Sequence, residues 1–187
     1  MKTALKSAIQ INRGTMLPFL LTGVMVLVDQ AVKTLIVLNW PEEGTLIKDL
    51  FGNDVVLFCH VRNKAIAFSL GQNIPEFLRF PFFILFPLVV LGFLLGYYFT
   101  SSEFRPVQRW AVAGIIGGGI GNIIDRIFRP GGVVDFISVK FYGLLGMERW
   151  PTFNIADAGV VVCCFLLLVT ILPSKGLEEK AEKELSS

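Results

Sequence analysis

Histidine, cysteine and charge are scarce in this 187-residue sequence: one His (His60), three Cys, and a charged fraction of 17%. A lone histidine in a loop between apolar runs leaves no Ser–His–Asp set and no His-rich metal motif. Cys163 and Cys164 are adjacent in an apolar run and Cys59 has no evident partner. Neither a disulfide framework nor a Cys/His zinc site is expected, and the three cysteines read as small hydrophobes. No metal or cofactor is expected. The net charge of +2 suggests no nucleic-acid partner. An ordinary soluble domain carries about 25% charged residues. With 53% hydrophobic residues and 17 Phe, the chain reads as neither a soluble enzyme nor a disordered segment.

What is present is a set of long apolar runs. A helix crosses the hydrocarbon core with about 20 largely apolar residues. Four segments meet or approach this: 16–38, 80–99, 107–124 and 155–172. The expected fold is an all-α integral membrane protein, one membrane domain over 1–187. Connections 39–79 and 125–154 are long and the tail 173–187 is short. Lys2, Lys6 and Arg13 precede the first run, but Asp29-Gln30-Ala31-Val32-Lys33 follows it instead of a small-residue cleavage site, so the run reads as a retained span. Lys and Arg are denser in the N-terminal arm, the 101–109 loop and the tail than in the long connections. That asymmetry predicts both termini in the cytoplasm and the long connections outside. Val55–Val61 has strand composition, and a small extracytoplasmic sheet at the membrane surface is expected. Arg129-Pro130-Gly131-Gly132 is a turn signal.

Ionisable groups at membrane depth cost at least ~2.5–3.5 kcal/mol each, so each one asks for a reason. Asp29 and Lys33 share a helix face. They read equally as an ion pair snorkelling outward or as a polar wall facing a buried site. Gly114, Gly117, Gly118 and Gly121 form small-xxx-small pairs suited to close packing. Asn122, Asp125 and Arg126 follow on one face, where an Asp–Arg pair closing the helix end is the plain alternative to a site. Asn154 can cap the last span, and Asp157 is a first-turn acid favoured by the helix dipole. Chain parity then adds a constraint. The third run ends where the fourth begins, so Asp125, Asp135 and Asp157 lie on one membrane face, and Asp29 and Lys33 join them. Separate structural explanations do not predict that convergence. Two nearby carboxylates cannot both ionise cheaply; one keeps its proton and the other accepts one. Such a pair can activate water and protonate a leaving amine, the chemistry of peptide hydrolysis.

The motifs Asp29-Gln30-x-x-Lys33, Asn63-x-x-x-Ala67-Phe68, Gly118-x-x-Gly121-Asn122-x-x-Asp125-Arg126, Val133-Val134-Asp135-Phe136 and Phe153-Asn154-x-Ala156-Asp157 occur in that order. With four spans around them, the chain resembles the lipoprotein signal peptidases, or signal peptidase II, over about residues 16–172. The resemblance implies a bacterial inner-membrane aspartyl endopeptidase that cuts diacylglyceryl-prolipoproteins just before the lipidated cysteine. It implies Asp135 and Asp157 as the catalytic pair; spacing alone does not choose Asp135 over Asp125. Asn63, Asn122, Asp125, Arg126, Asn154, Ala156, Asp29 and Lys33 match motif positions that support the site or contact substrate. Membrane lipid and globomycin-type inhibitors are implied ligands, and a monomer is expected.

The chain departs from the family pattern in three places. Ala65-Ile66 stand where the family has a Gly-Ala pair, Ala158 where it often has Ser, and the insert 141–151 is long. A loop around 55–68 is expected to cover substrate. Two other functions fit a chain with intramembrane Asp, Lys and Arg: a small proton-coupled transporter and a non-catalytic lipid-binding assembly factor. A transporter would place polar groups along a path through the membrane, whereas the second run here has none.

Overall fold

The computed structural model describes residues 9–64 and 75–185. Six α-helices and three strands are seen there: α1 (Arg13–Met16), α2 (Phe19–Asn39), β1 (Leu46–Asp49), β2 (Val56–Asn63), α3 (Glu76–Phe80), α4 (Phe86–Thr100), α5 (Pro106–Phe128), β3 (Val133–Val139) and α6 (Ile155–Leu185). Among the described residues, three helical stretches are long and apolar enough to cross a membrane: Arg13–Asn39, Phe77–Thr100 and Pro106–Phe128. The apolar part of α6, Ile155–Ile171, is shorter. Their outward faces carry large apolar side chains such as Leu27, Phe93 and Phe165, as lipid contact requires.

Between α3 and α4 the helix widens into a π-type segment, Pro81–Leu85. Pro81 and Pro87 lack the N–H groups that would bond the carbonyls four residues back. The wider spacing keeps the stretch helical without those donors, and Phe86 N–H reaches Pro81 O instead.

α5 sits at the centre of the bundle, against α2, α4 and α6. Three consecutive glycines make that possible. Successive helical residues point about 100° apart, so Gly117, Gly118 and Gly119 face three different neighbours. A Cβ at Gly117 would lie 3.0 Å from Thr22 Cα of α2, one at Gly118 2.5 Å from Ala156 O of α6, and one at Gly119 2.9 Å from Leu91 of α4. The helix also runs beyond the expected boundary at Ile124, through to Phe128. Asp125 and Arg126 are therefore helical, not part of the connection.

The three strands form one antiparallel sheet in the order β1-β2-β3. The strand read at 55–61 is Val56–Asn63. β1, only four residues long and containing Lys48 and Asp49, has no alternating pattern to read. Val134 and Phe136 of β3 pack with Ile36 of α2, Phe58 and Ile155 into an apolar layer that seats the sheet on the helix ends. Past β3, Phe153 bonds back to Ile137 in both directions, which covers the strand's free edge and delivers the chain to α6. At the opposite end of the bundle, Tyr98 donates to Thr15 O, and Arg109 lies over the Tyr98 and Phe104 rings.

Candidate active site

The start of α6 organises the site. Asn154 is its N-cap and Asp157 its third residue, and they cap each other. Asp157 N–H donates to Asn154 Oδ1 at 2.9 Å, and Asn154 N–H to Asp157 Oδ2 at 3.2 Å. With its oxygen engaged, Asn154 has both amide hydrogens to give. One goes to Asp135 Oδ1 (2.7 Å) and the other to Asn122 Oδ1 (3.1 Å). Asn122 then donates to Asp157 Oδ1 at 2.7 Å. Asp135 and Asp157 are thus joined through two amides whose orientations are fixed by their own partners.

A bulge turns Asn63 toward Asp135. Opposite β3, the pairing of β2 shifts by one residue between Phe58 and Val61. Beyond the shift Val61 faces Asp135, and Asn63, two residues on, shares that face. Asn63 Nδ2 donates to Asp135 Oδ2 at 2.9 Å. Without the extra residue His60 and Arg62 would point at Asp135 instead.

Behind Asn122 lies a buried ionic cluster. Lys33 Nζ has three oxygen partners, Asp29 Oδ2 (2.8 Å), Asp125 Oδ2 (3.0 Å) and Asn122 Oδ1 (2.9 Å), one for each ammonium hydrogen. Asp29 also accepts from Ala156 N–H (3.0 Å), which ties α2 to the first turn of α6. Asp125 accepts from Val134 N–H, Gln30 and Arg129 Nε as well. Two carboxylates and two cations balance here. The Asp29–Lys33 pair exists, but it is fully buried instead of snorkelling outward. Asp125 closes on Lys33 and Arg129 and not on Arg126, so the plain alternative of a pair with Arg126 closing the helix end is not what forms.

The electrostatic setting of Asp135 is different. Its hydrogen-bond partners are neutral amides. Burial, and then the neighbouring Asp157 carboxylate, push its carboxyl up to about 7, against the opposing pull of Asn63, Asn154 and Lys33. Asp135 and Asp157 both line a cavity of about 370 Å³ between α5, the start of α6 and the 150–153 segment. Asn63, Asn122 and Arg126 line it too. Asp29, Lys33, Asp125, Asn154 and Ala156 stand behind the wall as its support.

Some participants carry little signal in the sequence. Arg129 binds Asp125, Gln30 and Thr34; its position four residues after Asp125 was the available signal. Trp150 and Thr152 line the cavity, brought there by Arg149, which bonds Ser138 and Asp54. No local pattern announces those two. The departures at Ala65 and Ile66, and the family motif positions Ala67 and Phe68, lie outside the described residues.

The Gly118–Ala156 crossing sets the spacing between Asn122 and Asp157. Gly118→Ala should force backbone apart, since its Cβ would also meet Val160 Cγ2 at 2.5 Å. A loss of about 1–3 kcal/mol is expected, read as a lower melting temperature, together with reduced activity. Gly96→Ala, with nothing within 4 Å of the added Cβ, should leave both unchanged.

Comparison with known proteins gives a consistent set of relatives. Residues 21–173 match the family described as signal peptidase (SPase) II. A lipoprotein signal peptidase of Treponema pallidum is 43% identical over 178 residues, covering 95% of this chain and 91% of the relative. One of Treponema denticola is 45% identical over 168 residues, covering 90% and 95%. Among solved structures, a bacterial membrane enzyme determined in meso at 2.3 Å superposes with a TM-score of 0.69 at 23% identity, covering 84% of this chain and 88% of that one. At that identity the likeness concerns the fold.

Proposed function

The chain belongs to the signal peptidase II family, and on that premise we propose that Asp135 and Asp157 form the catalytic dyad of a membrane aspartyl endopeptidase. The observation that carries the proposal is the contrast between Asp125 and Asp135. Asp125 is held by Lys33, Arg129, Gln30 and a backbone N–H and does not line the cavity. Among the described residues Asp135 bonds amides only; it faces the cavity beside Asp157 and holds its proton up to about pH 7. A dyad with one proton is therefore the populated state near neutrality, and the titration belongs to the pair.

In that state the ionised carboxylate takes a proton from a water held between the two groups. The water oxygen attacks the scissile carbonyl carbon, and the protonated carboxyl hydrogen-bonds the carbonyl oxygen. The C–N bond then breaks as a proton passes to the leaving nitrogen. Asn122 and Asn154 are positioning residues: each is locked by other partners and keeps one carboxylate oriented. Arg126 supplies positive charge at the cavity wall, within electrostatic range of both aspartates.

The substrate of this reading is a diacylglyceryl-prolipoprotein, cut before the lipidated cysteine, its acyl chains entering sideways from the bilayer. Globomycin-type peptides would occupy the same cavity. The disposition is that of a bacterial inner-membrane monomer with four crossings and both termini cytoplasmic. At 1.5 Å per residue, Ile155–Ile171 covers about 25 Å, and α6 continues beyond it.

The pH dependence follows from the raised carboxyl. Above about pH 7 Asp135 ionises, the pair loses its acid, and kcat/KM should fall about tenfold per pH unit. A cleavage profile of purified enzyme measured from pH 6 to 9 checks this; a flat profile to pH 9 would contradict it.

A further inference from the structure

A second cavity, of about 360 Å³, lies beside the first, between α3, the end of β2 and the end of α5. Among the described residues the two share only Asn63 and Arg126. Its wall carries Lys64, Arg79, Arg126 and Arg129, with no carboxylate among its described lining residues. Arg129 is committed to Asp125. Arg126 forms no salt bridge among the described residues. Arg79 Nε is buried without a hydrogen-bond partner there, as is Nη1 of Arg62, whose side chain flanks Gly131 at the rim. Burial and the neighbouring Arg129 both push the Arg62 guanidinium below its usual range, with Asp125 and Glu43 opposing. Positive charge is thus concentrated here and under-compensated, a condition an anion relieves.

The other wall is apolar: Phe80, Phe83 and Ile84. Arg79 stands at the start of the Phe77–Thr100 stretch, and Arg126 and Arg129 at the end of α5. The cations therefore sit at the depth of lipid headgroups, with the apolar wall leading into the hydrocarbon region. Phe77 and Phe80 lie exposed on the lipid side, at 76% and 61%. We propose that this cavity binds the phosphodiester of an anionic glycerophospholipid, with its acyl chains descending over Phe80 and Ile84. A soluble phosphate shares the headgroup chemistry but would leave the apolar wall unused.

The test is native mass spectrometry of the full chain in detergent, titrated separately with dioleoylphosphatidylglycerol, dioleoylglycerol and inorganic phosphate. One phosphatidylglycerol should be retained per chain, at least tenfold more tightly than dioleoylglycerol or phosphate. Arg79→Gln combined with Lys64→Gln should weaken that lipid at least tenfold without lowering the melting temperature, while Arg79→Lys should retain most binding. If the double variant does not fold, Arg79→Gln alone should weaken the lipid at least threefold. Equal binding of phosphatidylglycerol and dioleoylglycerol, or unchanged affinity in the Gln variants, would overturn the proposal. Phosphate binding as tight as the lipid would assign the cavity to a soluble anion and overturn it as well. The readout is lipid retention, so a failure of the peptidase reading would leave it untouched.

Discussion

Lys33→Met is expected to destabilise the protein by about 3–5 kcal/mol, the cost typical of removing one partner from a buried ion cluster. Methionine matches the length of the lysine stem, so packing alone predicts a small effect. The charge predicts a large one. Lys33 is wholly buried and fills its three donor sites with Asp29, Asp125 and Asn122. Without it, Asp29 loses its cation and Asp125 keeps only Arg129. Asn122 also loses one of the two donors that fix its amide, keeping only Asn154 Nδ2, so the orientation of Asp157 loosens. Thermal unfolding in detergent should show the loss, and cleavage should fall with it. Adding Asp29→Asn to Lys33→Met removes the stranded carboxylate and should recover much of the melting temperature. Recovery of stability without recovery of full activity would separate the structural part of Lys33 from its hold on Asn122.

Asp135→Asn should act in the opposite way, losing function and keeping the fold. The asparagine can present its oxygen to Asn154 Nδ2, which cannot turn because its own oxygen caps α6. Its amide would face Asn63 in place of the carboxylate oxygen that Asn63 now bonds. Cleavage should drop about 10³-fold or more, since neither proton transfer nor water activation survives without the second carboxyl. The stability sign is separately testable. The carboxyl of Asp135 titrates at about 7 in the folded protein against an ordinary value of 3.8. Its contribution to stability is thus fully present below about pH 4 and is lost as pH rises through about 7. At pH 8 the folded protein holds an unfavourable buried carboxylate that the variant lacks. The variant should therefore melt higher than the parent at pH 8, with that advantage shrinking toward pH 5. Asp157→Asn should lose activity to a similar degree.

The sequence and the structure agree where the physics is local or one-dimensional. Apolar runs located the long helices, and parity alone brought Asp29, Lys33, Asp125, Asp135 and Asp157 to one end of the bundle. Where neighbours decide, the sequence was silent. On apolarity alone the third run ends at Ile124, since Asp125 and Arg126 follow it. In the fold, Asp125 is neutralised by Lys33 from another helix, so the helix continues. The choice of Asp135 over Asp125 needed the family resemblance, because both are single carboxylates on one face. The structure supplies a physical distinction in their partners, cations for one and amides for the other. The bulge that turns Asn63 toward Asp135, and the Arg149 anchor that brings Trp150 and Thr152 to the cavity, depend on pairings more than seventy and ten residues apart respectively; no local pattern encodes them.

The central claim is that Asp135 and Asp157 together hydrolyse one bond of a prolipoprotein. Its most direct test is single-turnover cleavage of a diacylglyceryl-prolipoprotein by purified enzyme in detergent, with the products identified by intact mass. The parent should release the signal peptide and leave the lipidated cysteine at the new N-terminus, while folded Asp135→Asn and Asp157→Asn each leave the substrate whole. Turnover at the parent rate by either folded variant would contradict the account.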